Sequence, residues 1–142
     1  MNTSAKATDL ASIVGIIEPV AGAATYTTGW IYAGDSTSFL ALVSCGTAGT
    51  SVNAKIQQAS DSSGTGAKDL SGSAITEIDG DGESAQIEFR ANDLDTANDF
   101  THFRLSVTTV GATNVTGGCV IATCPTNAPL AAAAKIDETV SV

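Results

Sequence analysis

His102-Phe103-Arg104-Leu105-Ser106-Val107 alternates polar and apolar side chains without a break. Successive side chains of a strand point to opposite faces, so Phe103, Leu105 and Val107 line one face and His102, Arg104 and Ser106 the other. A helix would scatter these residues, because it gathers positions three and four apart. The same period returns elsewhere. Val52, Ala54 and Ile56 alternate with Asn53, Lys55 and Gln57, and Ile87 and Phe89 sit between Gln86, Glu88 and Arg90. Phe39-Leu40-Ala41-Leu42-Val43 is instead a near-continuous apolar run, the pattern of a strand covered on both faces or lying at the centre of a sandwich.

Further strands are expected over 10–18, 25–33, 73–78 and 115–123, with Gly117-Gly118 marking a bulge or the close approach of another backbone. The runs are separated by Gly34-Asp35-Ser36, by 46–49, by the Ser/Gly-rich stretch 61–69 and by Asp79-Gly80-Asp81-Gly82-Glu83. Such stretches favour turns, because glycine tolerates positive φ and Ser and Asp side chains compete with backbone ladders. Residues 92–99 read as a polar corner, with one helical turn packed by Leu94. Short strands about ten residues apart, with no long helix, predict an all-β, single-domain antiparallel β-sandwich of jelly-roll or immunoglobulin-like type. The expected division is an N-terminal arm at 1–9, the sandwich at 10–124 and a C-terminal tail at 125–142. The tail is Ala-rich, and its Leu130, Ile136, Val140 and Val142 are apolar points with which it would dock on its own sheet edge or on a neighbour.

Composition narrows the function. The 142 residues carry 6 Lys+Arg against 15 Asp+Glu, a formal charge of −9. A nucleic-acid backbone or an anionic membrane surface would repel such a chain, so neither is expected as a partner. Hydrophobic residues make up 43% but aromatics only 5%, so the core must be thin and built from Val, Ile, Leu and Ala. The apolar stretch 10–20 is flanked and interrupted by Asp9, Glu18 and Pro19, which suits neither a secretory signal nor a membrane span. Cys45, Cys119 and Cys124 are an odd set in a chain large enough to fold without disulfides, which fits a reducing compartment; a Cys45–Cys119 bridge between neighbouring strands is left open.

No catalytic pattern emerges. Asp79, Asp81 and Glu83 lack the further spaced ligands of a calcium loop and read as a solvated turn. Asp93 and Asp95 have no aromatic cleft around them, and His102 has no nucleophile elbow to serve. Gly64-Thr65-Gly66 with Lys68 departs from a phosphate loop, which places its lysine directly before a Ser or Thr and ahead of a helix. The cysteines lack zinc-knuckle spacing. No enzyme activity, metal or cofactor is expected. The feature with the strongest claim to a role is Tyr26, Trp30 and Tyr32, whose even spacing in one strand would set all three on one face, as core or as an exposed contact stripe.

Three blocks carry a resemblance. They are Tyr26-Thr27-Thr28-Gly29-Trp30-Ile31, then residues 54–69 from Ala54-Lys55-Ile56 through Gly64-Thr65-Gly66-Ala67-Lys68-Asp69, and then Arg90 through Leu94-Asp95 to Phe100-Thr101-His102-Phe103-Arg104-Leu105-Ser106-Val107. In these blocks the chain resembles a family of small structural proteins of tailed phages and prophages, encoded among the head and head-completion genes, over about residues 24–124. The cysteines and the Ala-rich tail depart from it. The resemblance implies a capsid decoration or cement protein on the outer shell of a virion, made in the host cytoplasm. Its partners would be the major capsid protein and further copies of itself, as dimer or trimer. The alternatives are a tail or head–tail connector component, and a module that binds host carbohydrate through Tyr26, Trp30 and Tyr32.

Overall fold

The computed structural model describes residues 6–126 together with Ala133 and Ile136. After one helical turn, α1 (Ala7–Leu10), whose Asp9 carboxylate accepts the Lys6 backbone N–H, the described body is built of strands. These are β1 (Ala11–Ala21), β2 (Thr25–Thr27), β3 (Ile31–Tyr32), β4 (Ser36–Thr47), β5 (Ser51–Ala59), β6 (Lys68–Asp69), β7 (Ser84–Arg90), β8 (His102–Val110) and β9 (Val115–Pro125). One sheet has the order β1-β9-β4-β7; the other runs β2-β8-β5-β6, with β3 also on β8. All the pairings are antiparallel.

Counting β2 and β3 as one interrupted strand gives eight. The pairs β1–β9, β2/β3–β8, β4–β7 and β5–β6 are then the successive rungs of one long hairpin whose tip is the 60–67 loop. Wound on itself, such a hairpin forms two packed four-stranded layers with crossovers between them. This is the jelly roll rather than the immunoglobulin arrangement.

Alternation assigns the core. Phe39, Ala41, Val43, Ile87, Phe89, Val120 and Ala122 from one sheet meet Val52, Ala54, Ile56, Phe103, Leu105 and Val107 from the other, all buried. Phe103 crosses the layer boundary. Its ring centroid lies 4.5 Å from that of Phe39 and 4.9 Å from that of Phe89, tilted at 57° and edge-on at 80°. Both are geometries in which the positive edge of one ring meets the negative face of another.

Two expected strands are revised. The 25–33 run is broken: Thr27 pairs with Ser106, but Ile31 pairs with Phe103, so four steps on one strand match three on the other. The extra residue is a bulge around Gly29-Trp30, and one residue of slip exchanges the faces that follow it. Residues 73–78 form no strand beyond a single bridge, Val52–Ile78. The Ser73 hydroxyl takes the place of a backbone group there, accepting the Ile56 N–H at 3.0 Å and donating to the Leu70 carbonyl at 2.7 Å. With Leu70 and Ile75 N–H groups donating to Ile56 and Ala54, the outer edge of β5 is satisfied piecemeal.

Gly117 and Gly118 mark a close approach, as expected; of the two irregularities in β1, the one between Ile17 and Val20 lies opposite Gly117, and the one between Ile13 and Gly15 falls further along, opposite Val120 and Ile121. A Cβ on Gly118 would lie 2.8 Å from the Leu42 carbonyl oxygen in the adjoining backbone. Gly118→Ala should therefore destabilise the protein by about 1–3 kcal/mol, the cost typical of forced overpacking. Phe103→Ala, which empties the contact between the layers, should cost about 3–5 kcal/mol. Urea unfolding of both variants beside the parent checks each value; a Gly118→Ala midpoint equal to the parent's would contradict the close approach.

Candidate interaction surfaces

The two sheets turn chemically different outer faces to their surroundings. On the β2/β3-β8-β5-β6 sheet, the outward positions of β8 are His102, Arg104, Ser106 and Thr108, opposite Ala59, Gln57, Lys55 and Asn53 of β5. Polar side chains there join in a chain of contacts. Arg104 Nε donates to Gln57 Oε1 at 2.9 Å, Gln57 Nε2 donates to Asp69 at 3.1 Å, and Lys55 Nζ donates to the same carboxylate at 2.7 Å. Lys68 reaches Asp95 at 2.5 Å and stands 4.2 Å from the Phe100 ring centroid.

The aromatic stripe expected of Tyr26, Trp30 and Tyr32 is divided by the bulge. Tyr26, opposite Val107, packs against the core, and its hydroxyl donates to the Ala21 carbonyl at 3.2 Å. Tyr32, opposite His102, faces outward, is 50% exposed and lies 5.4 Å from the His102 ring. Trp30 is half-buried beneath Arg104, whose guanidinium carbon sits 4.4 Å from its ring centroid. It also packs on Gly64, where φ is +86° and a Cβ would come within 2.6 Å of the indole nitrogen. Only a glycine lets the 61–66 loop close over the indole in this way. Trp30 thus ties that loop to β8.

The other face is apolar. Across the β1-β9-β4-β7 sheet, Ile13, Ile121 and Leu40 stand in one row and Ile16, Cys119 and Leu42 in the next. Leu42 is 38% exposed and Val115 42%. The run 39–43 is therefore not covered on both sides by the described residues: Phe39, Ala41 and Val43 point inward, and the leucines form a second apolar surface. Because Gly117 presents no side chain there, the surface sinks into a groove of about 470 Å³ along β9. Ile16 and Pro19 wall one side and Leu42 the other, with Val115 and Cys119 contributing further apolar lining.

Cys119 lies on this outer face, opposite Leu42, and burial pushes its thiol above the ordinary value. Cys45 faces inward opposite Thr116, so the two side chains project from opposite sides of the sheet and do not bridge. Of the tail residues expected at an interface, Ile136 is half-buried; Leu130, Val140 and Val142 lie outside the described residues. The Ala133 N–H donates to the Ile13 carbonyl of β1 at 2.7 Å, and the Ile136 N–H to the Ala133 carbonyl at 2.9 Å. The apolar outer face escaped the sequence reading because a doubly apolar run looks the same whether or not something covers its second side.

Asp81 accepts the Ala48 N–H at 2.8 Å, which gives the 79–83 turn a structural task. Among the described residues no three of His, Cys, Asp and Glu converge as metal ligands. His102 Nδ1 lies 2.9 Å from the Thr101 hydroxyl.

No protein-family model and no curated protein sequence matches the chain. Among solved structures, it is similar to a chain of the empty virus-like particle of cowpea mosaic virus, at 13% identity, covering 96% of this chain and 95% of that one with a TM-score of 0.49. The SPBc2 prophage-derived protein YomS is similar at 12% identity, 79% and 93% coverage and a TM-score of 0.45. The CBM22-2 xylan-binding domain of Paenibacillus barcinonensis Xyn10C is similar at 12% identity, 77% and 87% coverage and a TM-score of 0.41.

The hydrogen bond from Lys55, with a second from Gln57, holds the Asp69 carboxyl below its ordinary 3.8, and the bond from Lys68, helped by Asn98, does the same for Asp95. A depressed carboxyl contributes stability above its unfolded value and loses it as pH falls through the folded one. Urea midpoints should therefore drop below about pH 4. The drop should be smaller in Asp69→Asn, and also in high salt, because both ion pairs are exposed to solvent and screened.

Proposed function

We propose that the protein is a structural component of a phage particle, a decoration or cement protein that binds the major capsid protein lattice from outside. The observation that carries this reading is where the body's two ends emerge. Ala11 at the start of β1 pairs with Thr123 near the end of β9, so the strand that opens the sandwich and the strand that closes it end at one corner, beside the edge of the sheet. A small rigid body with two arms at one corner is suited to grip a preformed lattice. Many weak contacts, repeated by symmetry, then add up through avidity.

The resemblance of the sequence blocks to those of small virion proteins supports the same reading, and so does the charge of −9, which suits a position across the shell from packaged nucleic acid. In this scheme Tyr32, Trp30 and the tail residues Leu130, Ile136, Val140 and Val142 supply contacts, while Tyr26 fixes the β1–β2 corner from within. Copies would associate around a capsomer axis as dimers or trimers. A carbohydrate-binding role draws less support, because the Trp30 ring is already engaged by Arg104 and Gly64 and only Tyr32 of the three stands open.

Cryo-electron microscopy of the particle in which the protein is made tests the proposal. Expected is density for this fold on the outer shell, in copy numbers set by the capsid's symmetry axes, and loss of that density when residues 1–9 are deleted. Density confined to the tail or to one vertex would assign the protein to the tail or connector instead. Quenching of Trp30 fluorescence by a host polysaccharide, with no density on the shell, would favour the carbohydrate reading.

A further inference from the structure

The chain contains two Asp-Gly steps, Asp79-Gly80 and Asp81-Gly82, and no Asn-Gly. Such steps are chemically labile. The glycine nitrogen can attack the side-chain carboxyl carbon of the preceding aspartate, because glycine has no Cβ to block the approach and lets the backbone turn freely. Closing the five-membered ring requires the carboxyl and the amide to leave whatever holds them, so hydrogen bonds to either group oppose the reaction.

The two steps differ in this respect. Asp81-Gly82 is held at both reacting groups: the Asp81 carboxylate accepts the Ala48 N–H at 2.8 Å, and the Gly82 N–H donates to the Gly46 carbonyl at 3.3 Å. Both partners belong to the end of β4 and the turn that leads from it into β5. Asp79-Gly80 is held at neither. Its aspartate is exposed, and among the described residues neither the Asp79 carboxylate nor the Gly80 N–H has a hydrogen-bond partner. The group standing over Gly80 is the Glu83 carboxylate, which a Cβ there would approach within 2.6 Å; it is the movable end of an exposed side chain. We propose that Asp79 is a site of spontaneous covalent modification, isomerising to a β-linked isoaspartyl residue, while Asp81 in the same turn is protected by its fastening to the β4–β5 connection.

The step balances with water as the one reagent. The Gly80 nitrogen bonds to Cγ of the protonated Asp79 carboxyl and the C–OH bond breaks, so that the hydroxyl and the amide hydrogen leave together as water and a succinimide remains. A water molecule that then adds to the main-chain carbonyl carbon of Asp79 breaks its bond to the Gly80 nitrogen and leaves the backbone running through the side chain. Addition at Cγ instead restores the aspartate. Nothing is oxidised or reduced. The β linkage puts one more carbon into the main chain between two fastened points, Ile78, which is bridged to Val52, and Asp81. The turn must then bulge or release one of them. The inference concerns the chain by itself and does not depend on the capsid reading.

Ageing of the full chain tests it. The protein is held for weeks at near-neutral pH, one sample folded and one in guanidinium chloride, and both are digested with trypsin. The cuts after Lys68 and Arg90 release residues 69–90 with both steps in one peptide, and electron-transfer fragmentation locates the β-linked residue within it. In the folded chain the product at Asp79 should accumulate at least about tenfold faster than at Asp81, as expected when two hydrogen bonds must be given up at one step and none at the other. In guanidinium chloride, where both bonds are gone, the two rates should come together. Equal rates in the folded chain, or a faster rate at Asp81, would overturn the proposal. So would a folded chain that forms no product at either position while the denatured chain forms both. A ratio in denaturant as large as in the folded chain would trace the difference to the flanking residues and overturn the protection assigned to Ala48 and Gly46.

Discussion

Phe103 holds the two layers together. A chain with 5% aromatic residues places three of its four phenylalanines at one point, where Phe39 and Phe89 from one sheet receive Phe103 from the other. Around this point the core is filled by aliphatic side chains such as Val43, Val52, Ile56, Leu105 and Val120, with Ala41, Ala54 and Ala122 between them. The strands that carry these rings are set by the same contact. β4 and β7 pair through Phe39 opposite Phe89, and β8 delivers Phe103 while its alternate residues build the polar outer face.

The sequence made the inward half of this plan legible. Strict alternation in β5, β7 and β8 assigns the inner residues without ambiguity, and the structure buries each of them, although Ser106 on the outer side of β8 is buried as well. What alternation cannot register is a bulge. Tyr26 and Tyr32 are six positions apart and read as neighbours on one face, yet the extra residue near Gly29-Trp30 sends one into the core and the other outward. Nor does alternation reveal which backbone groups a side chain will satisfy. Residues 73–78 have strand-like composition, but the Ser73 hydroxyl serves β5 in place of a ladder bond. The 39–43 run was ambiguous for a different reason, since its second apolar side depends on what lies over it.

The outer faces suit different uses. The β8-β5 face is polar and its groups are bonded to one another, Arg104 to Gln57 and Gln57 to Asp69, so little is left unmet for a ligand to recognise. The β1-β9-β4-β7 face has shape and apolar surface but few polar groups, and binding there would gain area without directional recognition. These properties fit a protein whose specificity comes from geometry and repetition rather than from chemistry at a single site.

β9 occupies the space between β1 and β4 and is the last strand of the fold to be synthesised. Until it emerges from the ribosome, β1 and β4 have no partner between them, and the groove-bearing layer cannot close even though most of the chain is already outside. The jelly roll therefore closes only once β9 is free to insert between its two neighbours. A ribosome that stalls or a protease that cuts within 115–125 leaves two long strand edges open to pairing with other chains, so the nascent protein is at its most vulnerable to aggregation just before its final strand is released.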